Sequence, residues 1–404
     1  MPPSSAAAPS VVDRKLPDLG NTAIAFASRS DADLWKAKWL FTVIGTPWLT
    51  KLGSGFTKAA LALHLPVKGL VKATIFKQFC GGETIKESLK SAMTLANSGI
   101  GTILDHSVEG QDDEDELDGT VKETLLNIAV SKERKDVPFC VFKPTGISRT
   151  ELLEIKSSGR TLSEAEKAEW DRVEQRVEKI CSAAHAADAP IFVDAEESWV
   201  QPAVDELVER MMERFNTKRA IVFNTAQLYR TDRLAYVKAA HARATAKGYH
   251  FGVKLVRGAY MEKERDAAEK AGRPSPIHVN KAAVDADYDD ALRYCADHLA
   301  NMAVCVGTHN EKSTLLMASL LDAKGLARND ERVWFAQLLG MSDNISYNMS
   351  AAGYNVAKYM PYGPVREVLP YLIRRAEENT SARGQTGREL GLIKAERERR
   401  KARQ

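Results

Sequence analysis

Near the C-terminal end of the chain, Tyr371, Arg374, Arg375 and Glu378 stand at i, i+3, i+4 and i+7, a spacing that sets all four on one face of a helix. Val368, Leu369, Leu372, Ile373 and Ala376 give that helix an apolar face, and Pro364 after Gly363 suits its opening turn. Two adjacent guanidiniums grip a carboxylate through paired, charge-assisted hydrogen bonds. Tyr371, with Tyr359 just upstream, adds aromatic walls. The pattern suits a small molecule with a carboxylate and an apolar body. A solvated surface stripe has the same spacing; what favours a site is the strand end bearing Tyr359 that precedes the helix.

A second segment, Lys254-Leu-Val-Arg-Gly-Ala-Tyr260, alternates cations with apolar residues. On a strand this leaves Lys254 facing one side and Leu255 the other. Gly258 and Ala259 let the backbone approach a flat ligand. Several other chemistries are excluded. There is no G-x-G-x-x-G, since Gly53-Ser-Gly55 lacks the third glycine, and no Walker A sequence, so a Rossmann fingerprint does not hold any nucleotide cofactor. There is no G-x-S-x-G elbow. The five cysteines stand singly, without C-x-x-C or H-E-x-x-H, and read as small buried hydrophobes, so no metal site is expected. Asp194, Glu196 and Glu197 hint at paired-carboxylate chemistry, but their separation is not readable from sequence.

The elements that must position these residues show as eight short apolar runs: 101–105, 139–143, 190–194, 220–224, 251–256, 303–307, 333–337 and 355–359. Helix-like segments separate them. Strands alternating with helices make βαβ units and a parallel sheet. Eight such units predict an α/β fold with a closed, TIM-like (β/α)8 barrel; a doubly wound open sheet is the alternative. The runs end at or just before Asp105, Lys143, Asp194, Gln227, Arg257, His309, Gln337 and Tyr359. In a barrel such ends converge on one mouth, where barrel active sites sit.

Of the 404 residues, 44% are hydrophobic and 27% charged, which rules out a disordered chain; the formal charge of +3 and the lack of a basic stripe argue against nucleic acid. Residues 1–30 read as a loose tail, 31–97 as an N-terminal helical region, 98–380 as the barrel and 381–404 as a charged tail. Leu61, Leu63, Leu65, Val67, Leu70 and Val71, punctuated by Lys58, Lys68, Lys72 and Lys77, form an apolar patch. It reads as helices packed on the larger domain, with a membrane-resting surface as the sharper option. No stretch has the roughly 18 apolar residues a membrane span needs, and no transit peptide is visible. The acidic run Gln111–Glu116 reads as a solvated loop, and Ser163 with Glu166 as a capping box that opens a long exposed helix.

Taken in order, Lys254–Tyr260 with Glu264, Gly307-Thr-His-Asn310, Gln337-Leu-Leu-Gly-Met341, Tyr359-Met-Pro-Tyr-Gly363 and Tyr371 to Asn379 resemble the proline dehydrogenases, most of all the monofunctional mitochondrial enzymes of eukaryotes. The resemblance implies a distorted (β/α)8 barrel with FAD at its mouth. It further implies oxidation of L-proline to Δ1-pyrroline-5-carboxylate, electrons passed to a membrane quinone such as ubiquinone, and a place on the matrix side of the inner membrane with peripheral membrane contact. Residue by residue, Arg374 and Arg375 match the carboxylate-binding pair. Lys143 and Asp194 match charged partners in the same pocket, and Tyr359, Tyr371 and Tyr260 match pocket aromatics. Gln227, Lys254, Arg257, Gly258, Ala259, Thr308, His309 and Asn310 match FAD contacts, Lys281 a position near the pyrophosphate, and Gln337 and Glu378 are assigned to the cofactor set. Lys254 stands where bacterial relatives tend to have Arg, and Met261 where some carry Trp. A rival reading is a different flavin-dependent barrel, similar to methylenetetrahydrofolate reductase; another is a non-catalytic membrane-associated barrel.

Overall fold

The computed structural model describes residues 14–44, 68–107, 112–381 and 383–403, with backbone alone at 44, 68, 70, 376–381 and 383–386. The strands are β1 (Ile100–His106), β2 (Phe139–Phe142), β3 (Ile191–Val193), β4 (Val222–Gln227), β5 (Phe251–Val256), β6 (Met302–Gly307), β7 (Val333–Leu338) and β8 (Val356–Tyr362). All pair in parallel, in chain order, and β8 closes on β1. The barrel expected from the eight runs therefore forms, and the open sheet is excluded.

The apolar runs are explained by burial on both faces. Outward side chains such as Leu104, Ile191, Val222, Val253, Leu255, Val304 and Val356 pack against the surrounding helices. Inward ones, among them Ile103, Phe139, Val141, Phe192, Phe223, Cys305 and Ala357, fill the lumen. Near the strands' N-terminal ends Phe139 stacks on Phe192 at 4.4 Å and meets Phe223 and Trp334 edge-on at 5.6 and 5.3 Å. Gly252 makes room for this plug: a Cβ there would sit 2.8 Å from the Phe223 ring and 2.6 Å from the Val222 carbonyl. Side chains alternate along a strand, so the lumen-facing residues beyond the plug include Asp105, Lys143, Asp194, Thr225, Gln227, Lys254 and Tyr359. The apolar half of the lumen ends where the polar half begins.

Helices fill the connections, and two of the expected boundaries need correction. Residues 14–30 are not a loose tail. Leu19 is buried and its carbonyl accepts from Asn344 Nδ2 at 3.0 Å, while Asn21 caps the helix Thr22–Ala25. Residues 1–13 lie outside the described residues. Nor is 381–404 only a charged tail: Arg383–Lys401 is a helix with Glu389, Leu392, Ile393 and Glu396 buried. Arg400 on it bonds the Phe26 and Arg29 carbonyls and Asp31. The N-terminal stretch reads as loose because it is rich in Pro, Ala and Ser, the C-terminal one because charge dominates it, and buried apolar anchors seat both.

A second apolar cluster joins these pieces. Leu34, Ala37 and Phe41 of helix Asp31–Ile44 meet Phe79, Val365, Val368, Tyr371, Leu372, Leu392 and Ile393. The Leu61–Val67 part of the apolar patch lies outside the described residues. The acidic run is not all loop: Asp113 caps a helix from Glu114 to Glu133, and Glu114, Asp115 and Glu116 occupy its first turn, where the helix dipole favours negative charge. The Ser163–Glu166 capping box opens helix Glu164–Ala186 as expected. All five cysteines are buried thiols. No helix among the described residues is long and apolar enough to cross a membrane.

Candidate active site

The floor of the mouth is a chain of opposite charges set on strand ends. Lys143, just past β2, donates to both carboxylate oxygens of Asp105 on β1, at 2.9 and 3.0 Å. Lys254 on β5 pairs with Asp194 just past β3, and Tyr359 on β8 donates to the other oxygen of Asp194 at 2.7 Å. The Lys254 ammonium also lies 5.0 Å from the Phe192 ring centroid and 5.2 Å from that of Tyr359, so the aromatic plug faces a cation. Burial pushes the Asp194 carboxyl upward, but the ammonium charges of Lys254 and Lys143 outweigh it and hold the group below the usual carboxylate range. Burial, with the carboxylates of Asp105 and Asp194, drives the Tyr359 phenol well above its ordinary value, so Tyr359 remains a proton donor.

The β4–β6 rim is built differently. Gln227 accepts from the Ala259 N–H at 3.0 Å and donates to the Glu196 carbonyl at 2.8 Å, which ties the turn after β5 to the turn after β3. That turn passes through Gly258 at φ +147, where a Cβ would lie 2.4 Å from the Tyr229 ring. Tyr260 reaches back to Glu196 Oε2 at 3.1 Å. Arg257 fans out to Asp285, to Thr308 Oγ1 at 2.6 Å and to Ser313 Oγ at 2.9 Å. Lys281, on the exposed side, pairs with the same Asp285. Asn310 caps helix Glu311–Ala323. Cations, hydroxyls and a helix start thus gather along the ends of β5 and β6.

The helix Val365–Ser381 follows β8 directly. Pro370 inside it removes the N–H that would bond the Arg366 carbonyl. Arg375 is buried with its guanidinium 5.2 Å from the Tyr371 ring, and Arg374 is half-buried. Tyr371 adds to the upward push on the Tyr359 phenol. Arg375, with Lys358 and Arg257, lies close enough to His309 for its charge to help depress the imidazole, burial being the larger cause; His309 falls to about 3 and is neutral. The helix therefore brings Arg375 and Tyr371 to the mouth. The Glu378 side chain lies outside the described residues.

One assigned residue is displaced. Gln337 faces outward from β7, because its neighbour Ala336 belongs to the lumen; it donates to the Thr308 carbonyl at 3.1 Å and accepts from Ser346 at 2.8 Å. It braces Thr308 from behind. Asp105 and Ser342 had no role in the sequence reading, and Glu196 figured there only in a carboxylate cluster with Asp194 and Glu197. Asp105 was visible only as a polar strand end. Glu196, beside Asp194, accepts Thr145 Oγ1 at 2.8 Å as well as Tyr260. Ser342, whose hydroxyl meets His309 Nδ1 at 2.9 Å, has no sequence signal.

Set against known proteins, residues 88–388 match the family described as Proline dehydrogenase. The chain is 35% identical over 360 residues to the carbapenem antibiotics biosynthesis protein CarD of Pectobacterium carotovorum, covering 89% of this chain and 93% of that one. It is 40% identical over 234 residues to human mitochondrial proline dehydrogenase 1, covering 57% of this chain and 39% of that one. The Arabidopsis thaliana mitochondrial proline dehydrogenase 1 is 28% identical over 430 residues, covering 95% and 86%. Among solved structures, proline utilization A of Bdellovibrio bacteriovorus inactivated by N-propargylglycine superposes with a TM-score of 0.70 at 19% identity, covering 89% of this chain and 38% of that one. That likeness concerns the fold. The matched span includes every strand and the assigned site residues, and on that ground the chain belongs to the proline dehydrogenase family.

Proposed function

We propose that the chain oxidises L-proline to Δ1-pyrroline-5-carboxylate with FAD as resident cofactor, a membrane quinone as electron acceptor, and the matrix side of the mitochondrial inner membrane as its place. The observation that carries the reading is the polar lumen beyond the aromatic plug, where Lys143, Asp194, Lys254 and Tyr359 interlock beneath the helix bearing Arg375.

The residues present fit FAD by the chemistry of their donors. Arg257, Lys281, Thr308 and Asn310 would hold an anionic diphosphate, and Gly258 and Ala259 offer backbone to a flat ring, with Gln227, Lys254 and His309 alongside. Bound FAD supplies the two-electron acceptor that no side chain can. Arg374 and Arg375 bind the proline carboxylate, and Tyr359 and Tyr371 bound the ring. Fixing the substrate in this way contributes roughly 7–11 kcal/mol to lowering the barrier when the reacting atoms are aligned. Lys254, fixed by Asp194, places positive charge where negative charge develops. The test is consumption of L-proline with a soluble quinone as acceptor: stoichiometric formation of a cyclic imine is expected, and its absence from a folded, FAD-loaded preparation refutes the reading.

A further inference from the structure

Ser342 stands at the start of helix Asp343–Ala351, where a serine usually caps the first turn with its own hydroxyl. Here it makes no such cap. Its backbone is left-handed, φ 50 and ψ 44, a conformation that non-glycine residues hold only when their surroundings enforce it. Its hydroxyl is turned to His309 Nδ1 at 2.9 Å instead. The conformation is enforced from outside the barrel. The buried carboxylate of Glu389, on the C-terminal helix, accepts the Ser342 N–H. On the preceding side Lys358 donates to the Met341 carbonyl at 2.5 Å; on the following side Asp343 is held by Lys358 at 3.0 Å and by Arg29 at 2.7 Å.

We propose that Glu389 is a positioning residue for the mouth. By gripping the Ser342 N–H it holds the turn from which the serine hydroxyl fixes the orientation of the His309 ring. The C-terminal helix is then part of the working site. A hydroxyl meets Nδ1 in either tautomer, so what Ser342 sets is where the Nε2 edge of the ring points. The consequence for turnover rests on the mouth being the proline site; the structural link does not.

The test is 15N-histidine NMR of the full-length FAD-loaded protein, with the His309 signals assigned by their loss in His309→Asn, together with proline kinetics. Glu389→Ala and Ser342→Gly should each shift the His309 ring signals away from their wild-type positions and lower kcat/KM for proline about tenfold. The double variant should lose no more than either single one, because both act through one link. Glu389→Gln, which keeps a carbonyl acceptor for the N–H, should restore the wild-type His309 signals. Unchanged His309 signals in Glu389→Ala, or additive losses in the double variant, overturn the proposal. Should Glu389→Ala fail to fold, Ser342→Gly, in which the left-handed turn is unstrained, decides alone: unchanged His309 signals there are equally fatal. A chain that never turns over proline refutes the proposed function, while the NMR signals still decide the positioning role.

Discussion

Tyr359 donates its hydroxyl to Asp194 at 2.7 Å, joining the end of β8 to the end of β3 across the barrel mouth. The same carboxylate holds Lys254, so one aspartate organises an aromatic wall and a cation together. A hydrogen bond to a charged acceptor contributes roughly 1.5–3 kcal/mol. Tyr359→Phe should therefore lower kcat/KM for proline by roughly ten- to a hundredfold, while thermal denaturation shows a folded protein. Wild-type kinetics in that variant would separate the pair from function.

Lys143 and Asp105 form a buried ion pair, with the Asp105 side chain only 1% exposed. Removing one partner of such a pair leaves an uncompensated charge and costs roughly 3–5 kcal/mol. Lys143→Met should lose that much stability in urea titrations. Lys143→Met combined with Asp105→Asn should regain most of it. Equal stabilities for the single and double variants would mean that the charge of Asp105 is met by something other than Lys143.

Much of this was legible in the sequence because barrels have a strict period. Eight apolar runs gave the strands, and the polar residue at the end of each run gave the mouth. Lys254 against Leu255 was readable from alternation alone: Leu255 packs outward and Lys254 lies over Phe192. Gln337 is the opposite case: as a polar strand end it was assigned to the cofactor set, and the one-residue step from Ala336 turns it outward. What stayed hidden depends on contacts far apart in the chain. Asp105 meets Lys143 across 38 residues, and Glu389 meets Ser342 across 47. The C-terminal helix looked like a charged tail because, among its described residues, Leu392 and Ile393 are the apolar anchors that are buried, while Glu389 and Glu396 are buried against polar partners.

Arg375→Ala removes a buried guanidinium from the rim. If Arg375 grips the substrate carboxylate as proposed, KM for proline should rise roughly a hundredfold or more. FAD content measured on the purified variant should match the wild type. Unaltered proline saturation would exclude the clamp.

His309 supplies a pH signature. Its imidazole falls from an ordinary 6.5 to about 3, chiefly through burial and then through the charges of Lys358, Arg375 and Arg257. The unfolded chain protonates this group first as pH falls, so the His309 contribution to stability is present above pH 6.5 and is lost on the way down to about 3. Glu389 runs in the opposite sense: burial, then Asp343, raises it from 4.5 to about 7, so its contribution grows as pH falls through that window. The difference between His309→Asn and wild type isolates the histidine. Relative to wild type, the variant should gain stability steadily between pH 6.5 and 4 in denaturant titrations. A flat difference would show an unperturbed imidazole.

The most direct measurement is the visible absorbance of the purified protein before and after anaerobic L-proline. A proline-oxidising flavoprotein shows flavin bands that bleach on adding proline and return when a quinone is admitted. A preparation that takes up FAD but keeps its bands unchanged in saturating proline contradicts the assignment of this mouth to proline oxidation.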